Sequence, residues 1–554
     1  MALAALHQLA DPDHPTPIDP RLGPSSSWLL AAAMALLVSV GSAVLWPGDA
    51  PWFWDEPLEI GEALTANEDH QLAQHGLHGS FPFPYGALGV HINQFWLLFT
   101  HDPRVLVVLH ALFCTIPTTI ALLWLARTLR LSPWFAVAVL AAPHLWFESR
   151  RLWQPSFCIP LGAMAIAAHA SFLRTRSGWS LVLAIACAMA PLFVHLQCLP
   201  LSLAILGHLA WRHRPALRRH WKPIVAVIAG FVTLHGTYIL TACIMILAGC
   251  FSYIRTGHNS NTPLAQAWWG PVLGGRLFSG FEWGFGTSRL ARAVDLASSA
   301  AMPLVWLGMA LAIWKLATTL RRRQRPHPAT AAVPKGTSES SESSARSTIL
   351  LICLAGFFVH VVICAVFRLS PTTHYFFGTF GIYVVFAWLA LDSLPHRALR
   401  ALVTTLYGLS AAAITVAWIW HVHCHSWPRT LSPTLDDQIA VVRQLNRYAD
   451  TWAYTDVPAY SDRPYVLLCL RRLLPPAPGE PRTYSGRLFI RYRQGPDGQP
   501  TDHIELVETP GQPPGAKLIP LVAESEQEVR TIDAVGKLGT PTSLLMPDAR
   551  ADGR

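Results

Sequence analysis

The chain has 554 residues, of which 52% are hydrophobic and only 14% charged, and its formal net charge is +9. A soluble domain carries roughly 25% charged residues. The deficit, with long uncharged stretches between bursts of arginine, excludes an ordinary globular protein and describes a membrane one. The basic residues sit mostly in short loops between apolar runs, where topology explains them better than nucleic acid does.

Residues 1–27 are Pro- and Asp-rich and lack a basic leader region. They predict a cytoplasmic tail followed by an uncleaved anchor. A hydrocarbon core of about 30 Å needs about 20 apolar residues in a helix. The candidate runs are 28–46, 105–126, 133–147, 155–173, 179–195, 197–211, 223–248, 301–320, 348–367, 375–391 and 401–421. They predict an α-helical polytopic membrane protein of about 11 transmembrane helices.

The stretch 84–100 is also apolar, yet it holds His91, Asn93 and Gln94. Counted as a span, it would carry the basic clusters at 212–222 and 321–325 to the outside. Laid on the membrane as a juxtamembrane helix, it keeps them in the cytoplasm, with Arg127, Arg130, Arg174, Arg176, Arg397 and Arg400. The outward regions are then 47–104, 148–154, a hairpin tip at 195–197, 249–300, 368–374 and everything after 422. The Arg-, Pro- and Ser-rich segment 321–347 reads as a cytoplasmic linker, and 28–421 as one transmembrane domain. Beyond it, a polar helix over 434–449 and strand-like runs at 452–455, 465–470, 488–493 and 504–507 predict a small extracytoplasmic α/β domain over 422–510. Residues 511–554 have the composition of a disordered tail. Most of the ten cysteines fall in apolar segments and act as small hydrophobes.

Several polar features converge on the outer face. Asp55 and Glu56 follow three aromatic residues just after the first span. A carboxylate at an apolar boundary gains basicity and suits proton abstraction from an alcohol; alternatively, the pair marks a helix start, where acids favour the dipole. Arg150 and Arg151 lie in an outward turn against the positive-inside trend. They match a phosphate, or they reach lipid headgroups. His195 and Gln197 occupy the hairpin tip, and Arg368, Thr372, Thr373, His374 and Tyr375 precede a later span. His421 and His425 share a helix face, a spacing open to metal, but the flanking tryptophans favour an aromatic belt. No Walker motif, HExxH or GxSxG occurs, which argues against an ATP-driven pump or a protease of those types.

This layout resembles the C-type glycosyltransferases, specifically bacterial members similar to protein O-mannosyltransferases and to the transferases that add aminoarabinose to lipid A. The matching residues are Asp55-Glu56 opening the outer loop, the stretch from Pro84-Tyr85-Gly86 to Asp102-Pro103-Arg104, and the turn Ser149 to Ser156. Val194 to Gln197 and His374-Tyr375 extend the match, which covers roughly residues 28–420. The resemblance implies an inner-membrane enzyme that takes a sugar from a polyprenyl-phosphate donor to a hydroxyl of a glycan, lipid or protein acceptor outside the cytoplasm. It casts Asp55 as the base or acceptor-orienting carboxylate and Glu56 as its support. Arg150 or Arg151 would hold the leaving lipid phosphate, with Arg104 as a further candidate. His195, Gln197, His374 and Tyr375 would line the substrate site. No metal cage and no cofactor are expected, and membrane lipids are the other partners. Pro57 departs from the pattern, because proline restricts the residue before it. Two other readings remain: a transporter or flippase of a lipid-linked glycan, and a non-catalytic assembly protein on a degenerate transferase fold. The sequence has no internal repeat and its charges gather at one face, unlike a transporter; fold alone does not decide the second.

Overall fold

The computed structural model describes residues 26–52, 55–77, 84–247, 302–324, 338–367, 373–425, 434–454, 463–475, 484–494 and 500–507. Most of these are helical. The first half holds α1 (Ser26–Val44), α2 (Asp55–Glu68), α3 (Leu88–Leu97), α4 (Pro103–Leu129), α5 (Pro133–Leu140), α6 (Pro143–Glu148), α7 (Cys158–Thr175), α8 (Gly178–Met189), α9 (Leu199–Arg212), α10 (Arg214–Arg219) and α11 (Trp221–Leu247). After the segment 248–301, which lies outside the described residues, come α12 (Met302–Gln324), α13 (Ser338–Phe367), α14 (Phe380–Asp392) and α15 (Arg397–His425).

Among the described residues, six helical stretches are long and apolar enough to cross a membrane: Ser26–Val44, Pro103–Leu129, Gln154–Thr175, Trp221–Met245, Ala345–Val366 and Arg397–Cys424. Gly178–Phe193, Pro303–Thr318 and Phe376–Asp392 are shorter apolar helices. The chain is therefore a multi-pass helical membrane protein. Four expected spans look different in the structure. Those at 179–195 and 375–391 each join a helix of 12 or 13 residues to a 3-10 turn. The run 133–147 divides into α5 and α6, because Pro143 cannot donate to the preceding turn and instead opens a new helix. The run 197–211 is the 14-residue α9, preceded by a short 3-10 turn at Leu196–Cys198. In α11 the helical path breaks at His235 (φ −127°, ψ 19°). The stretch expected on the surface is the 10-residue α3. At 1.5 Å per residue it reaches roughly 15 Å, half of a hydrocarbon core.

Local sequence explains the helix ends. Asp102 caps α4 by accepting from the Arg104 backbone N–H at 2.9 Å, and Pro103 stands at the first helical position, where no amide is needed. Alanines and glycines let α7 run through the centre of the bundle almost fully buried. A side chain at Gly162 would meet the carbonyl of Gly378 at 2.5 Å. Between α1 and α4, the Ser39 and Thr119 hydroxyls bond each other and Thr115 donates to the Ser39 carbonyl at 3.3 Å. Polar groups thus join helices where lipid offers no partner. Outward faces carry leucines and valines, such as Leu37, Val232, Leu406 and Val416, as a lipid boundary requires.

The arginines of the short loops gather at one end. Arg174 at the end of α7 donates to the carbonyls of Arg127 and Thr128 at the end of α4. Arg176 meets His213 after α9, and Arg346 of α13 binds Asp392 at the end of α14.

Beyond α15 lie α16 (Leu435–Tyr448), β1 (Ala449–Tyr454), α17 (Arg463–Leu473), β2 (Tyr484–Gln494) and β3 (Pro500–Val507). β1 pairs with β2 in parallel and β2 with β3 antiparallel. The expected strand at 465–470 is instead part of α17. Two parallel strands need a crossover between them, which this helix supplies. Its leucines 467, 470 and 473 recur every three residues on a buried face, and a short apolar run does not separate strand from helix by itself. The tail docks on the outer loop. Pro51 bridges Thr434, the Leu435 N–H donates to the Ala50 carbonyl at 2.9 Å, and Gln438 Nε2 donates to the Trp52 carbonyl at 2.7 Å. Residues 511–554, expected as a disordered tail, lie outside the described residues, as do 508–510.

Candidate active site

The end opposite the arginine loops is built where α2 begins. Asp55 and Glu56 occupy the first turn, so the helix-start reading holds and does not compete with a chemical one. Pro57 also stands in that turn, where its missing N–H costs nothing. Successive residues of a helix point about 100° apart. Glu56 is accordingly buried while Asp55 is half-exposed.

Glu56 Oε1 accepts from Arg151 Nε at 2.7 Å, and Glu148 Oε2 lies 3.7 Å from Arg151 Nη1. The guanidinium also lies over the Trp153 ring at 3.8 Å and near Phe147 at 5.8 Å. Two carboxylates and two aromatic rings therefore hold Arg151. Burial pushes the Glu56 carboxyl up to about 7 against the pull of Arg151. Asp55 Oδ2 accepts from the Trp153 indole at 2.8 Å. The neighbouring acids are thereby anchored to the same outward turn, Asp55 by an aromatic donor and Glu56 by a cation.

Arg150 points elsewhere. Its Nη2 donates to the Trp46 carbonyl, and the guanidinium lies 4.6 Å from the centre of the Trp146 ring. Its Nε and Nη1 find no acceptor among the described residues. Burial lowers its pKa to about 10, against the opposing charge of Asp49. Asp49 in turn accepts from His423 Nδ1 at 3.1 Å, and His423 stacks on Trp46 at 4.2 Å. His423 thus reaches this cluster; the His421 ring faces Trp418, and the His425 side chain lies outside the described residues.

Glu59, one turn on from Glu56, is fully buried and accepts from Asn93 Nδ2 of α3 at 3.0 Å. Burial raises its carboxyl well above the usual range. The polar residues that made 84–100 ambiguous turn inward. Gln94 binds the Ala73 amide, the Gln71 carbonyl and Asn67, and His91 binds the Ala73 carbonyl at 2.7 Å. α3 thereby pins the outer loop.

The hairpin tip closes the cluster. His195 packs on Tyr85 with ring centres 4.2 Å apart, its Nδ1 accepting from the Gln197 backbone N–H at 3.2 Å. Burial holds this imidazole neutral, its pKa lowered to about 3. Gln197 Nε2 donates to the Pro155 carbonyl at 3.4 Å, and Gln154 Nε2 donates to the Gly86 carbonyl at 2.6 Å. A side chain at Gly86 would run into the Phe193 backbone. Gly86→Ala is expected to cost about 1–3 kcal/mol through this clash, read as a lower unfolding temperature of the detergent-solubilised protein.

Arg104 reaches the edge of this network through Asp436, which lies against Gly48. Burial, with the charge of Asp436 added to it, raises the neighbouring Asp49 carboxyl. The Arg104 Nε pairs with Asp436 of α16 at 2.6 Å on a partly exposed surface. The segment Thr373–Thr379 packs on Leu196–Cys198 and on Gln154–Phe157; the His374 and Tyr375 side chains, like Arg368 and Thr372, lie outside the described residues. Asp55, Glu56, Arg150, Arg151, His195 and Gln197 thus belong to one contiguous region. Glu59, Glu148, Trp153, Asp49 and His423 join it without having been proposed as site residues from the sequence, as does Asn93, noted there only as a polar residue of 84–100. The available signals were faint: Glu59 follows Glu56 at the i, i+3 helix spacing, and Asn93 sits in an otherwise apolar run.

Fold and site together define a multi-pass helical membrane protein with a buried carboxylate–arginine network at one end. No family model and no curated protein sequence matches the chain. Among solved structures it is similar to ArnT from Cupriavidus metallidurans bound to undecaprenyl phosphate, with 13% identity over 80% of this chain and 84% of that one and a TM-score of 0.46. The apo form of that ArnT gives 12% identity over the same shares and a TM-score of 0.34.

Proposed function

We propose that the protein is a glycosyltransferase that moves a sugar from a polyprenyl-phosphate-linked donor to an acceptor hydroxyl at the periplasmic face of the bacterial inner membrane. The observation that carries this reading is the joining of the Asp55–Glu56 pair to the Arg150–Arg151 turn through Trp153 and the buried Glu56–Arg151 bridge. A carboxylate suited to an alcohol and a cation suited to a phosphate then belong to one rigid unit. The positive-inside rule supports the orientation, because the loop arginines gather at the other end.

In this reading Asp55 accepts the proton of the acceptor hydroxyl as its oxygen bonds to the anomeric carbon of the sugar. The bond from that carbon to the carrier phosphate breaks, and the phosphate leaves with the electron pair. Negative charge grows on the departing oxygen, so a preplaced guanidinium lowers the barrier selectively. Arg150 is the better placed of the two arginines, since Arg151 already neutralises Glu56. Glu56 and Arg151 position the turn, and His195 and Gln197 border the substrate.

Replacing Asp55 with Asn at equal expression tests the assignment. Loss of a general base lowers turnover about 10²–10⁴-fold, and the expected outcome is a surface glycan, glycolipid or glycoprotein profile matching that of a deletion strain. A wild-type profile in the variant, where the deletion changes it, would remove Asp55 from the role.

A further inference from the structure

A second site lies at the opposite end of the bundle. A cavity of about 930 Å³, open on one side, lies between α1, α5, α14 and α15. The same helices separate it from the outer cluster: α15 starts at the cavity with Arg397 and ends near Asp49, and α1 runs from Ser27, bonded to Trp134, towards Trp46. The volume is that of a ligand pocket, typically about 300–1,000 Å³.

Its lining divides by chemistry. Val38, Phe135 and Leu409 belong to an apolar wall, whereas Arg130, Arg397, Arg400 and Asp392 bring charge to it. Asp392 is already shared, accepting from Arg400 at 3.1 Å and from Arg346 at 3.0 Å. Among the described residues the lining holds three arginines and one carboxylate, a net positive rim beside an apolar cavity. Topology alone accounts for arginines at this end. It does not account for a cavity between their helices. An apolar hollow with a guanidinium rim matches an acyl chain joined to a phosphate.

We propose that this cavity binds one anionic phospholipid of the cytoplasmic leaflet, with an acyl chain against the apolar wall and the headgroup phosphate at the arginine rim. The site is separate from the one that would hold a sugar donor, and its occupant takes no part in transfer. It would tie α1, α5 and α15 together, where their direct packing leaves a gap.

Native mass spectrometry of the detergent-purified full chain tests this with phosphatidylglycerol and phosphatidylethanolamine of identical acyl chains. The wild type is expected to retain one phosphatidylglycerol in preference. Arg130→Gln with Arg397→Gln should reduce that preference about ten- to thirty-fold, and Leu409→Trp should reduce retention of both lipids. Equal retention of the two lipids by the wild type, which needs no variant, would overturn the proposal. So would a preference that the double variant keeps while its unfolding temperature is unchanged. Displacement of phosphatidylglycerol by inorganic phosphate alone would reduce the site to an anion site and overturn the lipid assignment.

Discussion

Arg151→Met is expected to destabilise the protein by about 3–5 kcal/mol, and the double variant with Glu56→Gln by much less. Arg151 is 1% exposed and Glu56 fully buried, with 2.7 Å between their bonded atoms. Removing the cation strands Glu56 and Glu148 without water to solvate them. The cost then depends on pH. Glu56 has its carboxyl raised from 4.5 to about 7 by burial, even with Arg151 beside it. A carboxyl that holds its proton more tightly when folded stabilises the fold fully below its unfolded pKa, and loses that contribution as pH rises through the folded value. Without Arg151 the folded value climbs further, so both proteins lose stability alike up to about pH 7. The variant's deficit should widen only above it, where wild-type Glu56 is ionised and the variant's still holds its proton. Glu56→Gln should flatten that slope. Thermal unfolding of the four proteins of the double-mutant cycle between about pH 5 and pH 8 measures both the coupling and its pH dependence. A deficit that is the same at every pH, or additive losses in the double variant, would contradict the buried pair as the anchor of this turn.

The network was partly legible before the fold was known, for physical reasons that differ by residue. Asp55 and Glu56 stand out because two acids beside three aromatic residues at a span end conflict with lipid. Arg150 and Arg151 stand out because they oppose the charge bias of the loops. What sequence could not separate was the role of neighbours. Asp55 and Glu56 read as one pair, yet the helical turn sends one to an indole and the other to a buried guanidinium. Arg150 and Arg151 part in the same way. Long-range partners carry no local signal at all: Arg104 meets Asp436 across 332 positions, and Asp49 meets His423 across 374. Loop charges predict a surface placement for 84–100. Its polar residues were ambiguous because facing water and facing the loop underneath demand the same side chains. The misjudged run at 465–470 shows the reverse problem, since its short apolar pattern suits either element until a parallel strand pair requires a crossover.

The same separation of neighbours makes Arg150 the most informative residue for turnover. If it meets the leaving phosphate, Arg150→Met should lower kcat about 10²–10³-fold, the scale of losing one preorganised charge partner in a transition state. The effect should fall on kcat more than on KM, because the carrier phosphate is already charged when bound and gains further charge only as the sugar departs. Arg150→Lys keeps the charge but not the planar fork, and should fall between the two. Stability must be separated from chemistry, because the same change leaves Asp49 facing no guanidinium. Combining Arg150→Met with Asp49→Asn removes the acid that would then rest on His423. It should recover unfolding temperature without recovering turnover. Arg104→Met serves as the comparison, since its partly exposed bridge to Asp436 is worth about 0–1 kcal/mol and lies at the docked tail. Initial rates with a polyprenyl-phosphate-linked sugar in detergent would measure all four. Equal losses in Arg104→Met and Arg150→Met, or turnover restored by Asp49→Asn, would show that Arg150 holds the fold and leaves the phosphate to another group.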